Sequence, residues 1–302
     1  MTAAIDIRSE NGAPTPCGTL SVPHDFMIAG PAGDLSVRTK GLESKPGNLV
    51  VLVQGANLTG QAGYDFSFQG GEDYSFMDAL VQRGYGTLTF ALRGYGESSI
   101  PEDPLSVNTD AALEDLHAVM QWVAAAGYTR PHLFGWSWGG RIIARYAEHH
   151  GASVDRLVLL DPALGGNVSG AFPESPWFSA GWDWWYQGRL ITEYSEETAR
   201  RALADYIVRH EPRSPAGIRR ENAEGTICAT PEAIDRPTLM LYGSEAARQD
   251  YMRAGVPRAE FFERLAAREK RFEIVPDCGD YAHLELPRRV IHERVARFLE
   301  GD

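Results

Sequence analysis

Short apolar runs alternate with longer amphipathic stretches along most of the chain. Residues 48–55 form a nearly unbroken aliphatic run, typical of a strand buried on both faces, and similar runs occur at 85–92, 131–136, 156–161, 237–243 and 270–276. Residues 75–84 and 109–123 carry apolar positions at helical spacing. An alternating pattern over residues 18–41, divided by a glycine- and proline-containing turn, predicts an antiparallel start. The succession predicts an α/β protein with a mostly parallel sheet and helices on both faces.

The regular alternation breaks after residue 162. The chain is then aromatic, proline-bearing and irregular, and it becomes plainly helical from 195 to 210 before the strand pattern resumes. We therefore predict a core domain in two parts, residues 1–162 and 232–302. Residues 163–231 are predicted to be a lid or cap inserted between them.

Composition and charge restrict the classes of function. The 302 residues are 43% hydrophobic and 23% charged, as in ordinary globular proteins, and the net charge of −12 argues against binding nucleic acid or an anionic membrane. Cys17, Cys228 and Cys278 lie far apart without metal-ligand spacing, which favours a reducing compartment. Neither a signal peptide nor an apolar run of membrane-spanning length is evident. We expect a cytoplasmic monomer or homodimer that acts on a small molecule.

A Gly-x-Ser-x-Gly motif lies where a predicted strand meets a predicted helix, with Ser137 at its centre. A serine on such a turn has a strained backbone that projects its hydroxyl, and the flanking glycines remove side chains that would collide. The motif also occurs by chance in glycine-rich surface loops. The strand before it and the helix after it favour a nucleophile.

Several polar residues follow the carboxyl ends of the predicted parallel strands, where ligands bind in open sheets. A serine nucleophile needs a base with a pKa near ambient pH, which points first to histidine. Of the eight histidines, only His283 follows the last strand at this edge. The acid that would orient it is Asp161 or Glu245, and Asp161 is favoured because it ends the strand next to Ser137. Asp161 could also serve only as a turn-former.

With this constellation the chain resembles the α/β-hydrolase superfamily, in its branch of serine esterases, lipases and lactonases with an inserted lid. The resemblance extends from about residue 18 to about residue 299 and includes the order Ser, acid, His. It implies an eight-stranded, mostly parallel sheet with a helical lid after strand six. It also implies an oxyanion hole formed by the backbone amides of Ala56 and Trp138.

Three positions depart from the family pattern. Gln54 replaces the histidine that usually precedes the glycine after strand three, and Ala246 stands where an aspartate is usual, which favours Asp161 as the acid. Many relatives carry histidine directly after the last-loop glycine, where this chain has Asp280, whereas others have a Tyr-x-His-Leu run that matches His283. Under the first alignment the base is missing, and a carboxylate titrating near its usual pKa of about 4 would accept the serine proton poorly.

These features predict hydrolysis of a carboxylic ester or lactone through an acyl-enzyme, without a cofactor or metal. The tryptophan-rich stretch 177–186 suggests an apolar or aromatic substrate. Alternatives are carbon–carbon bond hydrolysis, another non-hydrolytic reaction, or a catalytically idle ligand-binding protein, for which Asp280 is the supporting feature. The candidate pocket residues are Gln54, Asn57, Trp136, Trp182 and Trp185.

Overall fold

The computed structural model describes residues 21–44, 46–165, 171–226, 228–248 and 258–302. Eight strands form the main sheet: β1 (His24–Gly30), β2 (Gly33–Lys40), β3 (Leu49–Val53), β4 (Gly86–Phe90), β5 (His132–Trp136), β6 (Leu157–Leu160), β9 (Thr238–Gly243) and β10 (Lys270–Val275). Two short strands, β7 (Trp177–Phe178) and β8 (Ser214–Pro215), pair separately.

The main sheet has the strand order β1-β2-β4-β3-β5-β6-β9-β10. Strand β2 pairs antiparallel with β1 and β4, and the pairs from β4 to β10 are parallel. The predicted antiparallel start and parallel continuation are therefore confirmed. Trp136 pairs with Leu160, and Leu160 pairs with Leu241, so the carboxyl ends of β5, β6 and β9 share one edge.

Helices cover both faces of this sheet. They are α1 (Gly60–Tyr64), α2 (Phe76–Val81), α3 (Thr109–Ala125), α4 (Trp138–His150), α5 (Trp182–Gly188), α6 (Glu197–His210), α7 (Gly217–Glu224), α8 (Ser244–Arg248), α9 (Arg258–Arg264) and α10 (Arg288–Glu300). In β3, Val51 and Val53 enter the apolar layer beneath α3 and α4, whereas Val50 and Leu52 enter the layer beneath α2 and α10. This alternation explains why the strand is an unbroken aliphatic run.

The inserted segment, residues 163–231, contains β7, α5, α6, β8 and α7. Its aromatic beginning includes a helix, α5, which the irregular sequence pattern did not predict. Helix α6 buries an apolar stripe, with Leu203 and Ile207 in the same layer as α2 and α10. The role of this segment as a lid, and the domain boundaries, stay predictions.

Two of the cysteines are free thiols within the described residues, Cys228 and Cys278, and Cys17 lies outside them. Across the described ranges, every helix is too short or too polar to cross a bilayer.

Candidate active site

Ser137 occupies the sharp turn between β5 and α4. Its φ of 53° and ψ of −116° lie outside the regions that non-glycine residues ordinarily adopt. A Cβ at Gly135 would lie 2.3 Å from the Gly139 carbonyl oxygen, and a Cβ at Gly139 would lie 2.1 Å from the Val53 carbonyl oxygen. The two glycines therefore let the start of α4 pack directly on the ends of β3 and β5, which holds the half-buried Ser137 in its strained turn.

The two backbone amides expected in an oxyanion hole lie on elements that meet at this edge. Trp138 begins α4, where the first N–H groups of a helix have no partner within the helix. Ala56 follows β3, and the Tyr95 hydroxyl donates to its carbonyl oxygen at 2.7 Å, which restrains the loop. These contacts make an oxyanion hole at Ala56 and Trp138 structurally feasible.

Asp161 directly follows β6 and is only 7% exposed. Its φ is 41°, and its Oδ2 accepts the Gly243 N–H at 3.1 Å. Its other oxygen, Oδ1, is buried without a hydrogen-bond partner among the described residues. Burial raises the pKa of Asp161 well above its usual value, and the charge of Asp280 raises it further.

Backbone hydrogen bonds place Asp161 beside the nucleophile. The Ser137 N–H donates to the Leu160 carbonyl oxygen at 2.9 Å, and the Ser137 carbonyl oxygen accepts the Ala163 N–H at 2.9 Å. Ser137 is thus bonded to the chain on both sides of Asp161.

Asp280 lies half-buried in the loop after β10. The indole N–H of Trp136, the residue before Ser137, donates to the Asp280 carbonyl oxygen. Burial raises the pKa of Asp280 to about 6, against the lowering effect of Arg189 and Arg258. The charge of Asp280 in turn raises the pKa of Asp161, which directly follows β6.

His283 does not reach this edge, which corrects our expectation for the base. It belongs to a single 3-10 turn, Ala282–Leu284, that directs its ring into the apolar layer, where it is 0% exposed. Its ring centroid lies 4.9 Å from that of Trp136 and 5.7 Å from that of Tyr64. Both ring nitrogens lack a hydrogen-bond partner in the described parts of the chain, so His283 makes no hydrogen bond to Ser137.

Glu245, the alternative acid, lies in the first turn of α8. Its N–H donates to the Cys278 carbonyl oxygen at 3.0 Å, and its carboxylate accepts the Ser244 hydroxyl at 3.5 Å. The choice between Asp161 and Glu245 as the acid stays a prediction.

Three of the five predicted pocket residues have structural roles. The Gln54 side-chain oxygen accepts the Leu92 N–H at 3.1 Å, which joins the chain after β3 to the chain after β4. Trp182 stacks on Tyr186 with ring centroids 4.5 Å apart and donates to Asp205 on α6. Trp185 is 3% exposed and packs in the apolar layer. The assignment of Gln54, Trp182 and Trp185 to the pocket stays a prediction.

The other two pocket candidates lie next to the predicted machinery. Asn57 follows Ala56, and its side-chain oxygen accepts a hydrogen bond from Arg219 at 3.0 Å. Trp136 is 3% exposed and contacts Tyr281 and His283 through its ring. Trp136 therefore positions the Asp280 loop, and Asn57 is the candidate with a polar group beside the oxyanion-hole loop.

Sequence reasoning missed Arg189 and Arg219, which act electrostatically on residues at this edge. Both belong to the inserted segment, where no motif distinguishes them from solvated arginines. Asp280 did have a signal, because it directly follows the glycine after which many relatives carry histidine. Within the described residues, no cluster of three or more His, Cys, Asp or Glu side chains could hold a metal ion.

Because His283 is buried, we predict that replacing it changes the free energy of unfolding by an amount that depends on pH. Burial, aided by His292, lowers the pKa of His283 to about 3, below an unfolded value of about 6.5. Between these two pKa values the unfolded chain binds a proton at His283 that the folded chain does not bind. The folded protein therefore loses stability as the pH falls through this window. His283→Leu lacks this titration. We therefore expect its free energy of unfolding, minus that of the unsubstituted protein, to increase by about 2 kcal/mol when the pH is lowered from about 7.5 to about 5.

Urea denaturation at the two pH values measures this difference. The control is His149→Leu, which changes an exposed histidine on α4. An equal pH dependence for both variants would contradict the placement of His283.

Comparison with known proteins agrees with this architecture. A family model described as "alpha/beta hydrolase fold" matches residues 48–204. Among solved structures, an esterase from Exiguobacterium antarcticum superposes with a TM-score of 0.64 at 19% identity, covering 92% of this chain and 100% of that chain. A serine hydrolase from Cycloclasticus zankles superposes with a TM-score of 0.63 at 14% identity, covering 93% of this chain and 99% of that chain.

Curated relatives match over shorter stretches. N-formylmaleamate deformylase from Pseudomonas putida is 37% identical over 106 residues, which are 35% of this chain and 38% of the relative. The AB hydrolase superfamily protein YisY from Bacillus subtilis is 39% identical over 88 residues, 29% of this chain and 31% of the relative. The matched stretches thus span well under half the length of either relative.

Proposed function

This chain belongs to the α/β hydrolase fold family, and from that premise we propose that it is a serine hydrolase that cleaves a carboxylic ester or lactone through an acyl-enzyme. The observation that carries the proposal is the backbone of Ser137, a non-glycine residue with φ of 53° on a strand-to-helix turn. Such strain persists only where the surrounding structure imposes it, and it clusters at catalytic positions.

Asp280 is the proposed general base, in place of the imidazole that the family pattern leads one to expect. A base works best when its pKa lies near the working pH. Burial raises the pKa of Asp280 to about 6, which is close to the ordinary pKa of histidine. Burial and the charge of Asp280 both raise the pKa of Asp161, so ionisation of Asp280 disfavours that of Asp161.

The proposed reaction follows from these roles. The Ser137 oxygen attacks the substrate carbonyl carbon while its proton passes to Asp280, and the amides of Ala56 and Trp138 stabilise the oxyanion. Asp280 then protonates the departing alkoxide, which leaves an acyl group on Ser137. Water attacks this ester as Asp280 accepts its proton, and collapse of the second tetrahedral intermediate releases the acid and returns the proton to Ser137.

Binding without turnover is the second candidate function. The observation that favours it is the presence of Asp280 where many relatives carry histidine. After accepting a proton, Asp280 is neutral, so it cannot stabilise the oxyanion as a positively charged imidazolium would. An aryl ester assay on the purified protein separates the two candidates, since a binding protein leaves the ester intact.

Fluorophosphonate labelling tests the nucleophile directly. We expect one covalent adduct, located on the peptide containing Ser137 by mass spectrometry, and no adduct in Ser137→Ala. His283→Leu should label like the unsubstituted protein, because His283 is buried away from the turn. Failure of the unsubstituted, folded protein to form the adduct would overturn the assignment of Ser137.

A further inference from the structure

Two arginines of the inserted segment lie close to the proposed site without acidic partners. Arg189 follows α5, and Arg219 lies in α7. In the described ranges, neither guanidinium is within ion-pair distance of a carboxylate, and the Nε of Arg189 is buried without a hydrogen-bond acceptor. A neighbouring arginine of α7 differs, because Arg220 pairs with Glu224.

Aromatic rings hold both guanidinium groups in place. The Cζ of Arg219 lies 3.5 Å from the ring centroid of Phe178, and the Cζ of Arg189 lies 3.9 Å from the ring centroid of Trp184. The rings of Phe178 and Trp184 contact each other at 5.3 Å between centroids. Stacking occupies one face of each guanidinium and leaves the N–H groups at its edges available to an acceptor.

The arginine pair borders the predicted machinery on two sides. One edge of Arg219 donates to Asn57, which directly follows the oxyanion-hole residue Ala56. Arg189 and Asn57 both interact with Tyr281, the residue after Asp280. The pair therefore lies between the oxyanion-hole loop and the loop that carries the proposed base.

The carboxyl of Asp280 interacts electrostatically with Arg189, but within the described residues it forms no ion pair with either arginine. Burial lowers the pKa of Arg219, and the charge of Arg189 nearby lowers it further, so the two cations oppose each other's ionisation. Partly buried guanidinium groups are stabilised by planar oxoanions, which accept two parallel N–H bonds. A carboxylate bound at the N–H edges of both arginines would offset this repulsion.

We propose that Arg189 and Arg219 bind a free carboxylate of the substrate, so that the substrate is an ester or lactone that also carries an acid group. The hydrolysis in this inference rests on the proposed function, whereas the binding of the carboxylate by the two arginines does not. It replaces the expectation of a purely apolar substrate, because the aromatic residues Phe178 and Trp184 contact guanidinium groups.

Paired substrates test the inference by kinetics. The mono-4-nitrophenyl ester of adipic acid carries a carboxylate, and 4-nitrophenyl hexanoate is its neutral counterpart. In Arg219→Gln and Arg189→Gln we expect kcat/KM for the acidic ester, divided by kcat/KM for the neutral ester, to fall about 10- to 100-fold, the range of a hydrogen bond to a charged group. Arg219→Lys should retain part of the preference because it retains the charge.

Arg220→Gln is the matched control, since it removes a neighbouring arginine of α7 whose partner is Glu224. It should leave the activity on both esters unchanged. An equal loss of activity on both esters in the Arg189 and Arg219 variants, or no loss on either, would overturn the carboxylate site while leaving the hydrolase function standing.

Calorimetry gives a readout independent of turnover. Monomethyl adipate should bind to Ser137→Ala more tightly than dimethyl adipate, and Arg189→Gln with Arg219→Gln in that background should remove the difference. Arginine-dependent binding without ester turnover would support the site and refute the proposed hydrolase. Equal binding of both compounds, or of neither, would refute the site.

Discussion

Asp280→Asn is expected to lower kcat for an activated aryl ester about 100- to 1000-fold, within the usual contribution of a general base. The amide keeps the shape of the side chain but cannot accept the proton of Ser137. Asp280→His supplies an imidazole at the same position and is expected to retain turnover within about tenfold of the unsubstituted protein. Steady-state kinetics on the two variants measure both effects.

The pH dependence of kcat/KM provides the second readout of this prediction. Asp280 must be ionised to act as a base, so activity should rise with pH through about 6 and level off above it. Arg189 and Arg258 lower the pKa of Asp280, and the charge of Asp280 in turn raises the pKa values of Asp161, Tyr281 and Glu285. Full activity in Asp280→Asn, or a loss of kcat in His283→Leu that matches Asp280→Asn, would contradict the assignment.

Asp115→Ala is expected to cost about 3–5 kcal/mol of unfolding free energy, the range for removing one partner of a buried ion pair. The Asp115 carboxylate accepts the Arg93 backbone N–H at 2.9 Å and the Arg93 Nε–H at 2.8 Å, so it ties α3 to the loop after β4. Arg93 is only 8% exposed, and the truncation would leave its charge buried. Urea denaturation at neutral pH measures the loss.

Glu114→Ala is the control for this prediction because both carboxylates pair with the same arginine. The Glu114 side chain is 61% exposed, against 1% for that of Asp115, and its contact with Arg93 Nη2 is 3.0 Å long. Solvent screens the exposed pair, so its loss should cost less than about 1 kcal/mol. Similar costs for the two variants would show that burial does not govern this cluster.

Much of the fold was predictable because its signals are local. An aliphatic run such as residues 49–53 is long enough for a strand and too apolar for one exposed face, and helical spacing identifies α2 and α3 in the same way. The first hairpin followed from the turn residues between its strands. Helix α5 was missed because tryptophan side chains pack against other parts of the protein, and the periodicity of the sequence does not identify those partners.

The candidate site was predictable to the extent that strand ends determine it. Ser137 and Asp161 each follow a parallel strand of the sheet directly, so the order and direction of the strands bring them to one edge. The choice between Asp280 and His283 had no such basis, since both lie in one short loop and either alignment satisfied the sequence.

The sequence by itself determined the sheet, the strained turn at Ser137 and the acids at the strand ends, because periodicity, glycine spacing and strand order act over neighbouring residues. Only the tertiary structure decided that His283 enters the apolar layer, because a single 3-10 turn sets which side chain faces inward. It alone also brought Arg189 and Arg219 together, since the rings on which they stack, Trp184 and Phe178, come into contact only in the folded inserted segment.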